Sequence, residues 1–298
     1  MSIKLKPLSE QVIVITGASS GIGLTTAEAA AKAGAKLVLA ARSKQALDEI
    51  ARRLGENAIA VECDVADRGQ VQAVADAAVA RFGRIDTWVN DAGVAIFGRL
   101  DEVSDADSRR MFETNFWGVV NGSLVALPHL RRDGGALINV GSEVSEAVVP
   151  MLGMYAATKH AVKGFTDALR IEIERVDKAP VSITLIQPTA VDTPFDEHGR
   201  NYMANEPDLP TPMIDPQQVA DAILKCAVKP TRDVRVGMMS KVNTFMAKYV
   251  PGMADRMAAK QVENLKRDEP PRRDSEGALH AASEAKTTAG HTHGDHAK

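Results

Sequence analysis

The chain has 298 residues, 45% of them hydrophobic and 25% charged, which is enough to bury one large core and excludes a fibrous or wholly disordered chain. Thirty-six basic side chains against thirty-nine acidic ones leave a formal charge of −3, so the basic excess of a nucleic-acid binder is missing. Cys63 and Cys226 have no paired ligand spacing and the N-terminus MSIKLKPLSEQ has no apolar export core, so no disulfide framework, zinc site or export is expected, and a soluble cytoplasmic protein is.

Short β-branched runs alternate with helical periodicity along the first two thirds of the chain. The runs are Val12 to Thr16, Lys36 to Ala41, Ala58 to Cys63, Thr87 to Asn90, Ala136 to Val140 and Val181 to Ile186, and helices are predicted near 22–33, 44–54, 68–82, 104–129 and 154–175. Such alternation predicts βαβ units and an α/β fold: a Rossmann-like, doubly wound parallel sheet with helices on both faces. Most runs are near-continuously apolar, as strands covered on both faces should be.

After Pro188 the prolines at 194, 207, 210, 212 and 216 interrupt the pattern before a helix at 217–228 and a strand at 233–237, which predicts a mobile loop over a site. From Lys241 to Arg267 an apolar stripe, broken at Pro251-Gly252, predicts a helical pair that also carries six basic residues against two acidic ones. A membrane surface, a substrate lid or a subunit contact would each suit it. Beyond Asp268 no periodic pattern remains. The expected organisation is one catalytic domain over 8–237, with a substrate loop at about 189–216, a helical extension over 238–267 and a disordered tail over 268–298.

Immediately after the first strand comes Thr16-Gly17-Ala18-Ser19-Ser20-Gly21-Ile22-Gly23, leading into a helix. Strand, glycine turn and helix N-terminus together form a pyrophosphate cradle: Gly17 permits the tight turn, Gly21 admits the phosphates close to the backbone, and Gly23 allows close helix packing. The second strand ends at Arg42-Ser43, where an NAD site would place a carboxylate on the ribose 2′-hydroxyl. A guanidinium there suits a 2′-phosphate, so NADP(H) is expected over NAD(H).

Tyr155 and Lys159 stand one helical turn apart on one face, and Ser142 ends the strand before them. A tyrosine with a pKa near 10 is a poor base at neutral pH unless a cation stabilises its phenolate, which Lys159 is placed to do. Ser142 would donate a hydrogen bond to a substrate oxygen beside Tyr155.

The GxxxGxG spacing within TGASSGIG, with Asn90-Asp91-Ala92-Gly93, Ser142 and the YxxxK pair in order, resembles the short-chain dehydrogenase/reductase family from residue 12 to about 193. The resemblance implies a tetrad of Asn115, Ser142, Tyr155 and Lys159, with Tyr155 as general acid in reduction and base in oxidation. Lys159 would lower the tyrosine pKa and bind the nicotinamide ribose, and Asn115 would help hold a water relay to it. It further implies cofactor contacts from Ser19, Ser20 and Ile22 of the turn, and from Asp64 and Val65 at the adenine. Asn90, Ala92 and Gly93 would support the adenosine side, and Pro188, Val191 and Thr193 the nicotinamide. Two positions depart from the family. Asp91 replaces an asparagine, with little functional effect expected, and Thr189 replaces a glycine, which puts the loop path in question.

The expected function is an NADP(H)-dependent oxidoreductase moving hydride between nicotinamide C4 and a carbonyl or secondary alcohol of a hydrophobic substrate, as a homodimer or homotetramer. The alternative is a catalytically silent nucleotide-binding or membrane-surface interaction protein that uses the C-terminal extension. No metal is expected, because His129, His160 and His198 have no ligand spacing and the other four histidines fall in the tail.

Overall fold

A computed structural model describes residues 3–271, 275–282 and 290–295. In chain order the elements are β1 (Val12–Thr16), α1 (Gly21–Lys32), β2 (Lys36–Ala41), α2 (Lys44–Leu54), β3 (Ala58–Glu62), α3 (Arg68–Phe82) and β4 (Thr87–Asn90). They continue with β5 (Ile96–Phe97), α4 (Asp105–Phe112), α5 (Gly118–Asp133), β6 (Gly135–Val140), α6 (Gly153–Arg170) and β7 (Val181–Pro188). The last are β8 (Arg200–Asn201), α7 (Pro216–Val228), β9 (Asp233–Val236), α8 (Met238–Tyr249) and α9 (Pro251–Lys260).

The main sheet has the order β3-β2-β1-β4-β6-β7-β9 with every pairing parallel, the doubly wound architecture that the alternation predicts. Successive side chains of β1 and β2 explain why both faces are covered. Ile13, Ile15, Leu37 and Leu39 pack against α1, α2 and α7, while Val12, Val14, Val38 and Ala40 pack against α3, α5 and α6. Local signals fix the helix ends: Asp67 accepts from the backbone N–H groups of Gly69 and Gln70 to start α3, and Asp215 caps α7 ahead of Pro216.

Three features differ from the sequence expectation. The single helix predicted over 104–129 is divided by a π-helical turn at Glu113–Trp117, which widens the backbone around the fully buried Asn115. A second, two-stranded sheet pairs β5 with β8 and ties the segment after β4 to the proline-punctuated loop. That loop is further held by isolated bridges between Val191 and Ile214 and between Pro207 and Lys266.

Polar chemistry pins the layers together behind the carboxyl ends of the strands. Trp88 Nε1 donates to Asn90 Oδ1 at 2.8 Å, and Asn90 Nδ2 donates to Asn139 Oδ1 at 2.8 Å and Ser123 Oγ at 3.2 Å. Asn139 Nδ2 in turn donates to Thr166 Oγ1 at 2.9 Å. The chain of bonds crosses β4, β6, α5 and α6, and each member is buried.

The extension folds as α8 and α9, with Phe245, Tyr249, Met253 and Met257 of its stripe exposed. Its inner side is bonded to the core: Ser240 Oγ donates to Gln187 O at 2.8 Å. Among the described residues no helix is long and apolar enough to cross a membrane.

Gly122 lets α5 approach this network, because a Cβ there would collide with the Asn90 amide oxygen and lie 2.8 Å from Trp88 Nε1. Gly122→Ala is therefore expected to cost roughly 1–3 kcal/mol. At about 2–4 °C per kcal/mol, calorimetry should show a lowered Tm; an unchanged Tm would mean that the layer spacing is not fixed here.

Candidate active site

The strand order reverses between β1 and β4, and the main cleft opens at the carboxyl ends of the strands there, where doubly wound sheets hold their ligands. Its floor is the glycine turn. Gly17 has φ +73° and a Cβ on it would lie 2.9 Å from the backbone of Ala92, while a Cβ on Gly23 would collide with the Gly17 carbonyl. Gly23 thus lets the start of α1 lie close against the turn after β1 and against Asp91 after β4. Ser19, Ser20, Gly21 and Ile22 line the cleft, with Thr193 packed over Gly21.

At the far end of the cleft, Arg42 and Ser43 leave β2 beside Asp64 and Val65. Asp64 accepts from Arg110 Nη2 at 2.5 Å, and the Arg42 and Arg110 guanidiniums both donate to one carbonyl oxygen, that of Leu279, at 3.4 and 3.3 Å. Their mutual repulsion and burial hold the Arg42 pKa below its ordinary value, burial being the larger cause and Asp64 opposing it. Two guanidiniums thus converge on one carbonyl oxygen at this end of the cleft, beside the Asp64 carboxylate. Arg110 was not foreseen in the sequence, because it comes from α4, 46 positions from the Asp64 it pairs with.

At the other end, Ser142 leaves β6, and Tyr155 and Lys159 lie on the first turns of α6. Ser142 Oγ accepts from Val144 N at 3.3 Å and shares a hydrogen bond with the Tyr155 hydroxyl. Lys159 Nζ donates to Val140 O at 2.9 Å and lies 5.6 Å from the Tyr155 ring centroid. Burial raises the Tyr155 pKa above its ordinary value, with Asp91 and Glu143 adding to the rise and the Ser142 bond opposing it. Burial also lowers the Lys159 pKa to about 8, with Asp91 acting the other way.

Asp91 is the residue that sequence reasoning undervalued. Its carboxyl is buried against α1 near Gly23, lines the cleft, and has its pKa raised to about 7 by burial, with Lys159 and the Gly23 N–H opposing the rise. It was visible as a departure from the family pattern, but its effect on Lys159 depends on a shared burial that sequence spacing does not show. Thr189 raises no such issue: it has no positive φ, so the usual glycine is not required.

Asn90 and Asn115 do not line the cleft. Asn90 holds the sheet through the amide chain described above. Asn115 clamps the segment after β4, accepting from Val94 N at 2.8 Å and donating to Val94 O at 2.9 Å and Thr158 Oγ1 at 3.2 Å. Ala92, Gly93, Pro188 and Val191 do line it, as the resemblance implies.

The cleft beside Tyr155 is apolar, bounded by Val94, Val149, Leu152, Phe195 and Leu209. The Tyr155 and Phe195 rings are 5.3 Å apart. Glu143 is the polar exception; burial pushes its pKa up, opposed by hydrogen bonds from Thr189 and from Asn243 of α8, the latter at 3.1 Å. His160 Nδ1 lies 2.9 Å from Ala156 O on its own helix. Among the described residues no cluster of histidine, cysteine and carboxylate side chains could hold a metal; His296 lies outside them.

Segments of the tail that composition marked as disordered also lie here. Residues 275–282 and 290–295 are described as turns and bends against the nucleotide end of the cleft, with Gly21 N donating to His291 O at 2.9 Å.

Comparison with known proteins agrees with this geometry. A family model described as short chain dehydrogenase matches residues 11–203. The uncharacterized oxidoreductase YxnA of Bacillus subtilis is 44% identical over 264 residues, spanning 87% of this chain and 74% of that protein. The 11-beta-hydroxysteroid dehydrogenase A of Sesamum indicum is 33% identical over 256 residues, 81% of this chain and 72% of its own. The structure of an alcohol dehydrogenase from Thermococcus sibiricus complexed with 5-hydroxy-NADP superposes with a TM-score of 0.66 at 31% identity, covering 76% of this chain and 94% of the other. The fold, the order of the motifs and these relatives lead to one conclusion: the chain belongs to the short-chain dehydrogenase family of oxidoreductases.

Proposed function

We propose that the chain is an NADP(H)-dependent oxidoreductase that interconverts a carbonyl group and a secondary alcohol on a hydrophobic small molecule, with Tyr155 as the proton donor and acceptor. The observation that carries this reading is the meeting of the Tyr155 hydroxyl, Ser142 and Lys159 at the carboxyl end of β6, in a cleft whose other end carries Arg42, with the Arg110 guanidinium sharing its Leu279 acceptor. The silent-binder alternative has no comparable support, since the relatives are oxidoreductases.

The residues fit a dinucleotide: the glycine turn and the first N–H groups of α1 suit the pyrophosphate, and the paired guanidiniums suit a 2′-phosphate. A nicotinamide bound beside Tyr155 would supply hydride to a carbonyl carbon, or take it from an alcohol. The chain's own residues manage the oxygen and its proton. Ser142 accepts through Oγ from Val144 N and shares a hydrogen bond with the Tyr155 hydroxyl, so one substrate oxygen could meet both hydroxyls. Tyr155, kept protonated by burial, gives its proton to that oxygen in reduction. In oxidation it must lose the proton first, and the Lys159 ammonium, oriented by Val140 O, offsets the phenolate charge. Asn115 fixes Val94, an apolar wall of the substrate space. The steroid substrate in the sesame relative's name supports a hydrophobic substrate class.

Tyr155→Phe should lower turnover of any active carbonyl compound by about 10²–10⁴-fold while leaving NADPH binding intact; retained turnover would remove Tyr155 from the mechanism. Arg42→Ala should cut the ratio of NADPH to NADH affinity by roughly tenfold or more in fluorescence titrations, since a hydrogen bond to a charged group contributes about 1.5–3 kcal/mol. An unchanged ratio would reject the 2′-phosphate role.

Asp91→Asn should move the alkaline limb of the reduction pH–rate profile to lower pH. Giving up its proton in reduction leaves Tyr155 a phenolate whose charge the Lys159 cation offsets, and loss of the neighbouring carboxylate removes what holds that cation's pKa up against burial. A limb that stays in place would take Asp91 out of the site electrostatics.

A further inference from the structure

The tail segments that reach the cleft do not simply lie near it; they use the donors that a dinucleotide needs. Arg42 Nη2 donates to Ala278 O, and its Nη1 shares the Leu279 carbonyl with Arg110. On the glycine turn, Gly21 N donates to His291 O at 2.9 Å, and Gly290 N donates to Ser19 O at 2.8 Å. Ala278 and Ala282 contribute to the wall of the cleft itself.

The segment is anchored as well as inserted. Leu279 is fully buried against Val94, Ile96 and Met111. His280 Nε2 lies 2.7 Å from Asp107 Oδ1, whose other oxygen accepts from Arg200 Nε at 2.9 Å and Tyr202 Oη at 2.7 Å. Ala278 N donates to His198 O at 2.8 Å, and Asn201 N donates to Ser275 O at 2.8 Å. Gly277, with φ +54°, passes so close that a Cβ would lie 2.5 Å from His198 O. Further along, Asp295 N donates to Glu197 Oε1 at 2.6 Å.

We infer that residues 275–282 and 290–295 form a built-in plug of the nucleotide end of the cleft, which a dinucleotide must displace before it can bind. The carbonyls of Ala278 and Leu279 occupy the guanidiniums that would take a 2′-phosphate, and the His291 carbonyl occupies an N–H at the start of α1. Each donor serves one acceptor set at a time, so tail and dinucleotide compete. The apparent affinity is then the intrinsic affinity scaled by the fraction of molecules with the plug open. This inference rests on the dinucleotide reading of the cleft, and its test separates the two.

Two full-length variants should open the plug by independent means: Leu279→Asp puts a charge into the apolar anchor, and Gly277→Val puts a Cβ into the His198 carbonyl. In hydrogen exchange without any nucleotide, the Gly21 amide should exchange faster in both than in the parent. NADPH titration should give a Kd lower by about tenfold in both, the size expected if the plug is closed in about nine molecules in ten. Saturating the parent with NADPH should in turn speed exchange over 275–282. Unchanged Gly21 exchange together with an equal or weaker Kd in the folded variants would overturn the plug. If no form binds NADPH or NADH, the dinucleotide reading fails, and the Gly21 exchange alone decides whether the tail covers the turn.

Discussion

The buried chain of side-chain amides and hydroxyls from Trp88 through Asn90 and Asn139 to Thr166 is the constraint on which the site depends. An amide buried without a partner costs about 1–3 kcal/mol, so each of these groups is committed to its neighbour. The commitment runs across two strands and two helices, fixing β4 beside β6 and α6 behind both. Ser142 at the end of β6 and Tyr155 on α6 inherit their separation from it. The Ser142 and Tyr155 hydroxyls are therefore placed by groups that do not line the cleft.

Burial then sets the chemistry. Tyr155, Lys159 and Asp91 share one poorly solvated space, and desolvation is the largest influence on all three. It keeps the tyrosine protonated, weakens the hold of the lysine on its proton, and brings the aspartate toward neutrality. A carboxylate in place of the family's asparagine thus sets a group raised to about 7 beside a lysine lowered to about 8, both close to the ordinary working range of pH.

The fold was legible because both of its signals are local. Apolar runs such as Val12 to Thr16 carry the strand pattern, and helical periodicity marks the segments between them. The glycine turn and the Tyr155–Lys159 pair were equally readable, since each is a short-range spacing with one geometric outcome. What sequence hid came from long-range contact. The π-helical turn holds Asn115, whose partner Val94 is 21 positions away. The β5–β8 sheet joins residues about a hundred positions apart, in runs of two that are too short to show a period. The tail read as featureless because its anchors are a single leucine and a single histidine, and neither forms a pattern by itself.

The bond between Asn243 of α8 and Glu143 has a consequence for how this protein can be altered. Glu143 adjoins Ser142, so the helical extension is fastened to the turn that carries the Ser142 hydroxyl. A chain ending at Gly237 would leave a buried carboxyl with one partner fewer and the Gln187 carbonyl without its serine. The extension is thus fastened to the turn after β6 rather than appended to a finished core, so a change in its sequence can reach that turn through Asn243.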